Sequence, residues 1–193
     1  MIFDWAKLNK LATKSFKCGF CQHAIAAENG YYAFSNGAST WRYIYICHHC
    51  ERPNFFDEFG KQTPGPSYGD EVEGIQDKSV LAIYKEARDC FSISAYSAVA
   101  MCCRKMLMHM AISQGAKENL QFVEYVNYLY DSHLIPVNSK KWVDEIRVIG
   151  NDTNHEITIV QKGDAMNLLN FVSMIAKMIY EFPNKISSKK LSE

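Results

Sequence analysis

The chain has 193 residues, 48% of them hydrophobic, with 21 Lys and Arg against 21 Asp and Glu. A net charge of zero excludes a protein that holds nucleic acid through bulk electrostatics, so any such function must rest on a local patch. No apolar run approaches the ~20 residues needed to cross a bilayer. The opening Met1-Ile2-Phe3-Asp4-Trp5-Ala6-Lys7 has no signal-peptide layout, and the expected location is cytoplasmic, away from membranes.

The first segment, residues 1–56, is organised by cysteine. Seven cysteines make an odd count, and four of them form the pairs Cys18-x-x-Cys21 and Cys47-x-x-Cys50. In a reducing compartment such spacing favours metal over disulfide. Thiolates at positions i and i+3 of a tight turn supply two ligands each, so two turns separated by 25 residues fill a four-coordinate shell. The expected cofactor is one structural Zn2+. With no open position left, the site is not expected to be catalytic. His23, His48 and His49 lie beside these turns and read as exposed knuckle residues, because the cysteine set is complete without them. No βαβ pattern supports a redox role.

Between the pairs, Tyr31–Phe34 and Trp41–Ile46 alternate like strands around the Asn36-Gly37 turn, which predicts a hairpin and a small β zinc ribbon. Tyr31, Tyr32, Trp41, Tyr43 and Tyr45 have the chemistry to stack nucleic-acid bases; the simpler expectation is that they form the ribbon's own core. With six basic and five acidic residues through Gly60, the ribbon is not expected to act as a DNA-binding regulator.

Residues 57–77 combine acids with Thr63-Pro64-Gly65-Pro66, which predicts a linker with no core of its own. From residue 78 to 183 the periodicity is helical. Val80, Tyr84, Ala87 and Phe91 mark a first helix; Ala95, Val99, Cys102, Met106 and Met110 mark a second, central one ending at Gly115. Cys90, Cys102 and Cys103 read as small buried residues. Asn119 is the expected cap of a third helix carrying Phe122, Val126, Leu129 and His133. Ser139 is the expected cap of a fourth, with Trp142, Ile146 and Ile149 inward. A fifth starts near Asp164 and carries Leu168, Val172, Ile175 and Ile179. Ile157–Val160 reads equally as a short strand or an extended loop, and residues 184–193 as a frayed tail. The fold class is α+β, a β ribbon followed by an all-α bundle.

A helix continuing through Gly150 would place Arg147, Asn151 and His155 on one face. A fixed cation, an amide and a titratable imidazole suit phosphodiester chemistry. The other reading of these residues is structural: Gly150-Asn151 ends a helix, and His155 bridges a helix contact. Arg104 and Lys105 are candidate phosphate-binding residues, or two charges snorkelling from a buried helix.

Tyr84-x-Glu86-Ala87, Arg104-Lys105-x-Leu107 and Trp142-x-x-x-Ile146-Arg147-x-x-Gly150-Asn151-x-x-x-His155 together resemble the domain-of-unknown-function family numbered 4145. That family is similar to the HEPN superfamily of nucleotide-binding helical bundles. The resemblance implies a four- or five-helix bundle, a homodimer, and kinship with metal-independent RNases of toxin–antitoxin and phage-defence systems, which work on RNA or with partner proteins. It also implies Arg147 as the phosphate-stabilising group and His155 as acid/base on the 2′-hydroxyl. Here seven residues separate Arg147 from His155 instead of the superfamily's shorter spacing, and Asn151 stands between them. A non-catalytic module that dimerises, or binds nucleotide, nucleic acid or a partner protein, is the alternative expectation.

Overall fold

A computed structural model describes residues 5–136, 143–144 and 159–189 of the chain. Residues up to Ser67 form one compact unit, and Tyr68 onwards form a second.

The first unit is an antiparallel meander of five strands in sequence order: β1 (Asn9–Lys17), β2 (Ala24–Ser35), β3 (Thr40–Ile46), β4 (Pro53–Phe56) and β5 (Gln62–Thr63). The predicted hairpin is present, with Phe34 opposite Trp41 and Tyr32 opposite Tyr43. It is two strands out of five. β1 escapes the periodicity because only Leu11 and Phe16 pack on the core as apolar residues, while Lys10 and Lys17 face water and Lys14 lies over the Phe56 ring. Lysines on an edge strand prevent edge-to-edge pairing with another chain. Gly30 is required by close approach: a Cβ there would lie 1.9 Å from the Ile44 carbonyl oxygen.

Residues 57–77 are not the coreless linker expected. Asp57 Oδ1 accepts from the Phe59 and Lys61 amides, and β5 pairs with β4. Further on, Tyr68 stacks on Phe91 with centroids 4.5 Å apart, and Val72 and Ile75 are buried in the helical core. Few residues here are apolar, yet Tyr68, Val72 and Ile75 are anchors while Phe59 stays exposed, and average composition hides that difference.

In the second unit, α1 (Lys78–Ser92) is capped by Asp77, whose carboxylate accepts from Ser79 and Val80 amides. Its buried residues are the predicted Val80, Tyr84, Ala87 and Phe91. α2 (Tyr96–Ser113) is buried on most sides through Val99, Cys102, Cys103, Met106, Leu107 and Met110, and the left-handed Gly115 follows its end. Burial raises the Cys102 thiol to about 11, and Cys103 is raised as well, consistent with inert packing.

α3 (Phe122–Asp131) is capped by Gln121 and Glu124 acting as a box, so the cap is not Asn119, whose φ is 61°. His133 lies past the helix end. α4 (Lys162–Ala176) has a similar box of Gln161 and Asp164. It runs into a π-helical turn (Lys177–Glu181) and then α5 (Phe182–Lys189), where a tail was expected. Pro183 has no N–H to give the carbonyl four residues back; the wider turn absorbs this, with the Phe182 N–H reaching Lys177 O. Of the expected helix from Ser139, Val143 is buried in the core; Ser139, Trp142, Ile146 and Ile149 lie outside the described residues. No helix among the described residues is long and apolar enough to cross a membrane.

Candidate metal centre

The two CxxC turns have the same local construction. Cys18 N–H donates to His23 O and Gln22 N–H to Cys18 O; in parallel, Cys47 N–H donates to Arg52 O and Glu51 N–H to Cys47 O. The residue after each second cysteine, Gln22 or Glu51, turns left-handed at φ 63° and 60°. That reversal turns both sulfurs of each pair inward. β1 ends at Lys17 and delivers the first turn, and β3 ends at Ile46 and delivers the second. Their antiparallel neighbours hold the turns face to face.

All four sulfurs lie within 4.8 Å of one another, with Cys18–Cys50 and Cys21–Cys47 each at 3.7 Å. A tetrahedron with Zn–S bonds of about 2.3 Å has edges of about 3.8 Å, so the donor set fits a tetrathiolate zinc site. Cys18 and Cys47 are fully buried and belong to the small core with Ile25, Ala27, Tyr45 and Phe56. The ligands are thus part of what the sheet packs around.

The thiols are not equivalent. Burial raises Cys18, but the backbone amides of Cys21 and Phe20 and the side chain of Asn54 outweigh it and bring this thiol to about 7. Cys47 is raised by burial, and Cys50 is pushed up to about 12, first by burial and then by neighbouring thiols. Such a crowded set favours shedding its protons to a divalent cation over ionising alone.

Asn54 is the functional residue that sequence reasoning missed. It is fully buried on β4. Its Oδ1 accepts from Gly19 N at 2.9 Å and Gln62 Nε2 at 3.1 Å, while Nδ2 reaches Arg52 O at 3.3 Å and Cys18 Sγ at 3.5 Å. One amide therefore fixes both turns and polarises one ligand. The only sequence signal was an asparagine inside a strand, where that residue is uncommon. Gly19, inside the first turn, has no room for a side chain: a Cβ would sit 2.1 Å from Pro64 O.

His23 and His49 stack beside Cys21, with centroids 3.5 Å apart and planes 22° off parallel. The donor atoms of Cys21, His23 and His49 lie within 4.8 Å of one another, so the two rings border the thiol set on its Cys21 side. His48 is exposed.

The family model described as "Domain of unknown function (DUF4145)" matches residues 85–193, more than half of the chain. The chain belongs to this family. No curated protein and no solved structure matches it. The DUF4145 segment includes Arg147, Asn151 and His155, all of which lie outside the described residues. Arg104 is half-buried on α2, its guanidinium 4.9 Å from the Phe122 ring centroid, and Lys105 is exposed beside it. A guanidinium over a ring face is a cation–π contact. Also in the helical unit, an open cavity of about 350 Å³ is lined by Asp70, Asn170, Ser173, Met174, Lys177 and Phe182. Lys177 pairs with Asp70, and its hydrogen bond holds that carboxyl below the usual range. The buried Tyr84 hydroxyl lies 2.6 Å from Asp70 O and 3.1 Å from Ser173 Oγ, so the wall of this cavity is tied together.

Proposed function

We propose that this DUF4145 protein is a binding module whose N-terminal ribbon is held by one structural Zn2+ on Cys18, Cys21, Cys47 and Cys50. What carries the reading is the aromatic face of the ribbon, which runs on beyond its core. One face of β2–β3–β4 is an unbroken run of aromatic rings. At the metal end Tyr45 and Phe56 are buried, but towards the hairpin tip Trp41, Phe34 and Tyr32 are 44%, 46% and 52% exposed. The expectation that these rings form the ribbon's own core therefore holds at one end only. Contiguous exposed apolar surface of this kind marks an interaction site.

The test is to replace Trp41 with Thr, which keeps strand propensity. A ring kept for binding contributes little to stability, and the zinc-loaded protein should lose less than about 0.5 kcal/mol. A loss of ~3 kcal/mol would show that the ring is structural and end this reading.

A second reading is a metal-independent RNase of HEPN type, acting as a homodimer in a defence or toxin system. It is favoured by the sequence of the matched segment: Arg147 would stabilise phosphate, His155 would move the proton of the 2′-hydroxyl, and Asn151 would orient the group between them. A filled tetrathiolate shell leaves zinc out of this chemistry. Cleavage of mixed RNA in EDTA, with zinc retention checked, should disappear in His155→Ala. No cleavage by folded wild-type protein removes the reading.

A further inference from the structure

We infer that the strip Tyr32–Phe34–Trp41–Tyr43 is a stacking platform for the unpaired bases of a single-stranded nucleic acid; this rests on the binding-module reading. Trp41 sits at its centre, 4.5 Å from Phe34, 5.5 Å from Tyr32 and 6.4 Å from Tyr43 between ring centroids. Cross-strand pairing fixes these spacings, since Phe34 faces Trp41 and Tyr32 faces Tyr43. The platform is therefore preformed by the sheet. No charged residue belongs to the strip. Among the described residues, neither the Tyr32 hydroxyl nor the Trp41 indole N–H has a hydrogen-bond partner, so both are available to sugar or phosphate.

The charge of the unit that carries the strip, with Lys14 beside the rings, points to an anionic occupant. Residues 1–67 carry seven cations (Lys7, Lys10, Lys14, Lys17, Arg42, Arg52, Lys61) and five anions (Asp4, Glu28, Glu51, Asp57, Glu58), although the whole chain is neutral. Glu58 is taken up by Arg42, and Glu28 faces Lys10 at 3.6 Å. β1 has three lysines and no acid. Lys14 lies on the aromatic face itself, its Nζ 4.7 Å from the Phe56 centroid, and Phe56 is the cross-strand neighbour of Tyr43. Rings in a row with a few flanking cations suit single strands, whose bases offer π-faces regardless of sequence. A duplex hides those faces. A surplus of two positive charges is too small for backbone-dominated binding, so stacking has to dominate and salt dependence should be shallow.

The test uses the full, zinc-loaded chain with labelled oligo-U and oligo-dT of about 12 nucleotides and the matching duplex. Fluorescence anisotropy reads affinity, while zinc content and circular dichroism confirm that each variant is folded. The expected result is that both single strands bind with similar affinity and the duplex binds far more weakly. Trp41→Ala and Tyr32→Ala should each lose about tenfold, Trp41→Phe should keep most of the affinity, and log K should fall with log salt at a slope shallower than about −2. No single-strand binding by wild-type protein at about 100 µM, or equal binding by wild type and Trp41→Ala, overturns the inference. If Trp41→Ala instead alters self-association in light scattering and oligonucleotides do not bind, the inference falls and the binding-module reading stands. If Trp41→Thr unfolds the ribbon, both fall.

Discussion

Replacing Asn54 with Ala should damage the metal centre without touching a ligand. The side chain is fully buried, and its removal leaves the Gly19 N–H without the acceptor it has at 2.9 Å. An unsatisfied buried donor costs about 1–3 kcal/mol, and the lost contacts to Gln62 and Arg52 O bring the expected destabilisation to about 2–4 kcal/mol. The second effect is electrostatic. The Asn54 amide is one of the groups that hold the Cys18 thiol at about 7, so without it that thiol binds its proton more tightly. Zinc must displace the proton, and loss of such an outer partner typically costs 10–100-fold in metal affinity. The assay is competition for Zn2+ against a chromophoric chelator at pH 6, 7 and 8, beside thermal unfolding of the loaded protein. The gap between wild type and Asn54→Ala should narrow as pH rises, because above both thiol pKa values no proton has to leave. A gap independent of pH would refute the electrostatic part. An unchanged Tm would refute the packing part.

Gly19→Ala should cost at least ~2 kcal/mol, because the obstacle 2.1 Å away is the Pro64 backbone; Gly37→Ala, with nothing within 4 Å, should fall within about 0.5 kcal/mol of wild type in the same melting assay. Glu51→Gly relieves a left-handed residue at φ 60° and should raise stability by about 0.5 kcal/mol in chemical denaturation, provided zinc stays bound. Arg42 donates two hydrogen bonds to Glu58 and holds that carboxyl at about 2. A depressed carboxyl stabilises the fold above its ordinary value, and that contribution is lost as pH falls towards 2. In Arg42→Ala, an NMR titration should find Glu58 back in the ordinary carboxylate range; an unmoved value would show that Arg42 is not the cause.

The cysteine cluster was legible because each half of it is local: two thiols three residues apart share a tight turn, and the sheet then brings the two turns together. The inward faces of α1 and α2 were legible too, since Val80, Tyr84, Ala87 and Phe91 repeat at the helical period and are the residues buried. Caps were less so. Asn119 looked like a good cap by residue type, but the chain turns left-handed there and starts the helix at Gln121 and Glu124. The fifth helix was expected from near Asp164 with a tail from residue 184, yet helix continues to Lys189, because a π turn absorbs the N–H missing at Pro183.

What the sequence determined by itself, then, was each short-range commitment: the four thiols, the hairpin turn at Asn36-Gly37 and the apolar stripes of the helices. Only the tertiary structure decided the rest. It set β1 on an edge where lysines are favoured, and it buried Asn54 against Gly19 and Cys18, which lie 35 and 36 residues away along the chain. It also divided a single aromatic face into a buried half at Tyr45 and an exposed half at Trp41. The physical reason is the same in each case. Burial depends on which distant segments cover a side chain, and residue type and periodicity carry no record of that cover.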